Sequence, residues 1–84
     1  MTSAKYSTGD LVVINKGRKF PVVLRDGPGY TFCRVESIDP GEIAVVLESK
    51  IGHGMWEWIL LHASEKEKIG WIPQGMVEPI INLK

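Results

Sequence analysis

Apolar residues of this chain occur in short runs, and each run is bounded by glycine, proline or charged residues. The candidate strands cover residues 11–14, 21–24, 30–38, 43–47, 55–62, 69–72 and 77–81. β-Branched and aromatic residues between turn signals such as Asp26-Gly27-Pro28-Gly29 are typical of short strands. No stretch is long enough to persist as a helix. Five or six of these candidates are expected to form strands, so the pattern predicts an all-β small barrel or sandwich of five or six strands, with at most one short 3₁₀ turn at 74–76.

The segment 43–47, Ile-Ala-Val-Val-Leu, has no polar residue and predicts a central strand that is buried on both faces or nearly so. Trp71 is also assigned to the core. Trp56 and Trp58 alternate with Glu57, so they are expected on one face of their strand, and their spacing leaves open whether they are core or surface. The predicted core consists of Val12, Ile14, Val45, Leu47, Ile59, Leu61 and Ile72.

Length and composition predict one domain. The chain has 84 residues, of which 44% are hydrophobic and 24% charged, which is ordinary for a globular fold. Residues 1–8 are polar and predict a flexible segment before a single domain at 9–84. No apolar run is long enough to cross a bilayer, and the start lacks a signal-peptide core. The single cysteine, Cys33, excludes an internal disulfide and favours a reducing, cytoplasmic location.

Three pieces of the chain resemble Src-homology-3 (SH3) domains. Residues 41–48 of this chain resemble the SH3 segment in which Gly-Asp precedes a hydrophobic run and Glu, with Glu42 in place of the Asp. Residues 56–58 fall where SH3 domains have a tryptophan pair. Residues 70–79 match the closing SH3 motif Gly-Trp-Ile-Pro. The ending is also similar to that of short SH3-like proteins of bacteria and tailed phages. The resemblance covers about half the chain and implies an SH3-like barrel at 9–84. If a phage encodes the chain, the resemblance implies a virion or assembly component.

The same resemblance implies peptide binding, but three departures argue against ordinary PxxP ligands. Met76 replaces the expected tyrosine, Glu57 splits the tryptophan pair, and basic residues replace the acids that pair with a ligand's Lys or Arg. Tight binding of a basic PxxP peptide is therefore not expected.

Large side chains next to turns are the candidates for a binding surface, because they stay exposed there without disrupting strand pairing. Together they predict an apolar patch of a protein-interaction or structural module. The partner is expected to be another protein or further copies of this chain, in the cytoplasm or in a virion. The candidate partner-binding residues are Tyr30, Trp56, Pro73 and Met76.

The alternative is a nucleic-acid-binding barrel that uses the basic N-terminal half, although a net charge of zero argues against it. Its candidate residues are Lys16, Arg18, Lys19, Arg25 and Arg34.

Metal binding and nucleophilic catalysis have little support in the sequence. Cys33, His53 and His62 do not have zinc-ligand spacing. Cys33, His62 and Asp39 form a nucleophile–base–acid trio of a kind that arises by chance in most domains. We therefore expect no enzyme activity, cofactor, metal, membrane partner or small-molecule substrate.

Overall fold

The computed structural model describes residues 6–15, 17, 19–52, 55–63 and 67–80. Seven strands are formed: β1 (Leu11–Ile14), β2 (Val22–Arg25), β3 (Arg34–Ile38), β4 (Ile43–Ile51), β5 (Glu57–Ala63), β6 (Lys68–Pro73) and β7 (Val77–Pro79). A 3₁₀ turn, Gln74–Met76, joins β6 to β7. The all-β class and the 3₁₀ turn are confirmed, and the described residues form seven strands rather than five or six.

All seven strands belong to one antiparallel sheet in the order β3-β2-β6-β5-β4-β1-β7, which curls into a half-barrel. The long central strands β4, β5 and β6 pair along most of their length. β2 joins β6 through one pair, Arg25 opposite Trp71. The sheet is therefore most continuous in its C-terminal half, where the three strands are consecutive in sequence.

The core lies on the inner, concave face of the sheet. Of the predicted core residues, five are fully buried: Val12, Ile14, Ile59, Leu61 and Ile72. Trp71 is buried, as predicted, but it lies opposite Leu60 on the other face of the sheet and is not part of this core cluster. At Gly70, strand β6 approaches β2 closely, since a Cβ at this position would overlap the Cβ of Leu24. Glycine at this position lets two strands meet without a side chain between them.

Two predicted core residues, Val45 and Leu47, are not in the core. Along β4 the buried residues are Ala44 and Val46, while Val45 is half-buried and Leu47 exposed. The expectation that 43–47 is buried on both faces is therefore wrong. The register explains the result: Leu11 lies opposite Val45, which puts both on the outer face, and the pairing with β5 shifts between Val46 and Glu48.

Val46→Ala is expected to lower the free energy of unfolding by about 2–3 kcal/mol, because it deletes two buried methyl groups and leaves a cavity. Val45→Ala, the matched change one residue away on the outer face, should cost less than about 1 kcal/mol. Urea denaturation followed by circular dichroism measures both. A larger cost for Val45 than for Val46 would show that β4 faces the other way.

Tyr6 packs in the core although it lies within the segment 1–8 that was expected to be flexible. Its hydroxyl donates a hydrogen bond to the Val77 carbonyl at 3.4 Å, which ties the N-terminal side of the chain to β7. Burial raises the pKa of the Tyr6 phenol, and the nearby Glu57, Glu78 and Asp10 carboxylates raise it further. Thr8 adds a hydrogen bond to the Leu47 carbonyl at 2.9 Å.

Candidate functional site

An open groove of about 230 Å³ lies where the start of β5 meets the 3₁₀ turn. All four predicted partner-binding residues line it, together with three others. The lining residues are Tyr30, Trp56, Glu57, Pro73, Gln74, Gly75 and Met76. Three segments that are distant in sequence therefore meet at one surface, with two aromatic rings, a proline ring and a thioether facing the same space.

Tyr30 lies in the loop between β2 and β3. The sequence predicted a strand over 30–38, but β3 begins at Arg34, and residues 26–33 instead form a closed loop. Asp26 holds the loop at its base, since its N–H donates to the Cys33 carbonyl at 3.0 Å and its carboxylate accepts from the Cys33 N–H at 3.2 Å. A Cβ at Gly27 would overlap the Phe32 ring, so a larger residue there would displace this partly exposed ring. Tyr30 is thus presented from a hydrogen-bonded loop.

The Tyr30 ring is held from two sides. The Trp58 ring meets it edge-on with centroids 4.9 Å apart, and the Arg25 guanidinium lies 5.6 Å from its centroid. Arg25 is itself anchored by a 2.9 Å hydrogen bond to the Phe32 carbonyl. Tyr30 nevertheless remains 59% exposed. Aromatic pairs and cation–π contacts of this kind orient a ring without covering its outer face.

The two tryptophans have different environments, although both were expected on one strand face. β5 begins at Glu57, so Trp56 lies before the strand, and its ring is 65% exposed. Its carbonyl accepts a 2.8 Å hydrogen bond from the Gly52 N–H, which fixes the backbone at the strand entrance. Trp58 is fully buried beneath Tyr30. One tryptophan therefore lines the groove, and the other supports the Tyr30 ring.

The opposite wall of the groove is the 3₁₀ turn. Pro73 ends β6 opposite Trp58, and its fixed backbone angle, with no N–H to donate, suits the start of the turn. The turn closes when the Val77 N–H donates to the Gln74 carbonyl, and Asn15 donates its N–H to the Met76 carbonyl at 3.0 Å. Met76 is half-buried and packs against the core, so part of its side chain is a fixed groove wall.

Two polar residues also line the groove: Gln74, which lies within the 73–76 turn that the sequence assigned to the binding surface, and Glu57, which the sequence did not assign to it. Glu57 is half-buried and accepts a 2.7 Å hydrogen bond from the Ser49 hydroxyl, and it is the one charged residue among those lining the groove. The Gln74 Oε1 is buried without a hydrogen-bond partner within the described chain. Glu57 is the sequence neighbour of Trp56, and that adjacency is the signal that could have found it.

Among the described basic residues of the nucleic-acid alternative, Arg25 and Arg34 lie directly opposite each other on β2 and β3. Lys16 and Arg18 lie outside the described residues. Lys19 and Arg34 are exposed, and Arg25 is engaged with Tyr30 and the Phe32 carbonyl.

Two of the residues considered for metal or nucleophilic chemistry, Cys33 and His62, are separated by two strands of the sheet. Cys33 is exposed beside the edge strand β3 and His62 lies on the central strand β5, with β2 and β6 between them. His53 lies outside the described residues. In the part of the chain that the structure describes, no group of three or more His, Cys, Asp or Glu side chains could hold a metal ion. Within that same part, no helix has the length and hydropathy to span a membrane.

No protein-family model, curated protein or solved structure matches the chain. The groove and the surfaces around it therefore carry the functional inference.

Proposed function

We propose that this chain is a non-catalytic docking module of SH3-like architecture whose groove binds an extended apolar segment of a partner protein. One observation carries the proposal: Tyr30, Trp56 and the 73–76 turn come from distant parts of the sequence and line a single groove. Tyrosine and tryptophan supply much contact area for little lost entropy, and methionine adapts to irregular surfaces. Rings of this kind, held in place yet exposed, are typical of interaction sites.

The size of the groove favours a protein segment over a small substrate. Sites for drug-sized molecules have volumes of about 300–1,000 Å³, and this groove has about 230 Å³. A space of that size suits one or two side chains of a longer ligand. The half-buried Glu57 adds one negative charge, which favours a Lys or Arg beside the apolar residues of the partner. A neutral docking module suits an assembly role, in the cytoplasm or in a virion.

Trp56→Ala is expected to weaken partner binding about 30-fold, or about 2 kcal/mol, because an exposed aromatic anchor would be lost from the groove. The probe is a set of synthetic peptides enriched from a random displayed library by panning on the folded protein, each titrated by calorimetry. Met55→Ala is the matched control, since Met55 is the exposed neighbour of Trp56 and does not line the groove. It should leave the affinity unchanged.

Two results would contradict the proposal. One is a library that yields no binder; the other is a set of binders that Trp56→Ala and Met55→Ala weaken equally. A basic PxxP peptide serves as a comparator and should bind more weakly than the enriched sequences, since Met76 offers no hydroxyl and Glu57 is the one acid lining the groove. Low-micromolar PxxP binding would instead assign the groove to proline-rich ligands.

A further inference from the structure

The outer face of the sheet carries a row of side chains across four adjacent strands. Leu11 on β1 lies opposite Val45 on β4, Val45 lies opposite His62 on β5, and His62 lies opposite Ile69 on β6. Directly opposed residues of antiparallel strands project from the same face. Three strand spacings make this row about 14 Å long. Ile43 and Leu60 flank the row on the same face, and we call these six residues the outer patch.

The outer patch is exposed although it is almost entirely aliphatic. Leu11, Ile43 and Ile69 are 55%, 57% and 51% exposed, and the other three members are half-buried. An antiparallel sheet that faces water normally alternates apolar and polar residues, whereas β4 begins with five apolar residues in succession. The loop 26–33 covers the Trp58 end of this face. No described segment covers the outer patch, so its composition is that of a buried face without a cover.

We propose that a second copy of this chain covers the outer patch, so that the protein is a dimer in which two sheets pack face to face. Sheets packed in this way form an apolar layer about 10 Å thick. A two-fold dimer brings the same surface of both protomers together, so the patch must be compatible with itself. The outer patch contains no Lys, Arg, Asp or Glu, and two copies therefore meet without burying like charges.

The exposed area of the outer patch and the net charge of the chain both fit a second copy of the chain as the partner. The exposed parts of the six residues amount to an apolar area on the order of 400 Å², which suits the centre of an interface that buries about 800 Å² per partner. The net charge of zero removes long-range repulsion between copies. At the rim, Glu48 lies opposite Leu60 and already pairs with Lys50 at 3.8 Å, so this carboxylate needs no partner across the interface.

The outer patch and the groove are separate along β5. Leu60, the member of the outer patch nearest the groove, is three residues or about 10 Å from Glu57, and His62 in the row is about 17 Å from it. A face-to-face dimer would present two grooves and would bind a repeated ligand with higher avidity than one protomer. This inference does not depend on what the groove binds.

The test is the oligomeric state of the full chain, measured by sedimentation equilibrium over a range of concentrations. Wild type should sediment as a dimer. The double variant Leu11→Lys/Ile69→Lys should raise the dissociation constant of the dimer at least about 100-fold. Each protomer would place one lysine at either end of its row, so the interface would bury four unpaired ammonium groups. Ile51→Lys/Phe20→Lys is the matched control, since both residues are exposed apolar side chains outside the patch, and it should remain dimeric. Trp56→Ala should remain dimeric as well.

A wild-type protein that stays monomeric at about 1 mM would overturn the proposal, because weak interfaces are occupied at that concentration. Dissociation by the control double variant or by Trp56→Ala would also overturn it, since the contact would then lie elsewhere. A second measurement needs no substitution: a soluble paramagnetic agent should broaden the Ile51 methyl resonances of wild type and spare those of Leu11, Ile43 and Ile69. Equal broadening at all four would show that the patch is uncovered.

Discussion

Trp58→Ala is expected to lower the free energy of unfolding by about 3–5 kcal/mol, whereas Trp56→Ala should change it by less than about 0.5 kcal/mol. Trp58 is fully buried on a central strand, and its loss would leave a large cavity beneath Tyr30. The ring contact with Tyr30 adds about 0.5–1.5 kcal/mol beyond the buried area. Since domains of this kind have about 5–15 kcal/mol of stability in total, the Trp58 variant should be close to unfolding.

Urea denaturation monitored by far-ultraviolet circular dichroism measures both variants without relying on tryptophan fluorescence. Trp58→Phe is the control for size: it keeps an aromatic ring against Tyr30, and it loses no hydrogen bond, because the Trp58 Nε1 has no partner within the described chain. Its cost should therefore be well below that of Trp58→Ala. If Trp56→Ala proved the more destabilising change, the assignment of one tryptophan to the groove and the other to its support would be wrong.

Gly52→Ala is expected to reduce stability by about 1–3 kcal/mol and to weaken ligand binding in the groove as well. A Cβ at Gly52 would overlap the Pro28 carbonyl oxygen and would lie 2.8 Å from the Trp58 Cδ1. Neither neighbour can yield easily, since one is backbone and the other is a buried ring. The loop 26–33 would have to move outward and carry Tyr30 away from Trp56.

Gly75→Ala is the matched control for stability because a Cβ at Gly75 meets nothing within 4 Å; since Gly75 lines the groove, the affinity of Gly52→Ala is compared with wild type. Its stability should stay within about 0.5 kcal/mol of wild type. Urea denaturation measures the stability of both glycine variants, and titration with the same enriched peptides measures the affinity of Gly52→Ala. Unchanged stability and unchanged affinity for Gly52→Ala would show that the loop does not rest on the β4–β5 turn.

Some features of this fold follow from local chemistry and are readable in the sequence. β-Branched runs between turn residues predict strands, so the bounds of β1, β2, β5 and β6 were located to within two residues, whereas β4 extends four residues beyond the predicted 43–47. Pro73 followed by Gln-Gly-Met predicts a strand end and a short turn, because proline cannot continue the ladder. The groove residues were found because large side chains beside turns remain accessible whatever the details of the fold.

The sequence by itself therefore determined the all-β class, the 3₁₀ turn and four residues of the groove. Only the tertiary structure decided which residues of β4 face the core, because a run that is apolar at every position has no periodicity. The register of β4 with β1 and β5 selects the face that meets the core. The choice between Trp56 and Trp58 was decided in the same way. The two residues are chemically identical, and one is buried because the loop 26–33 folds over it while the other precedes the strand.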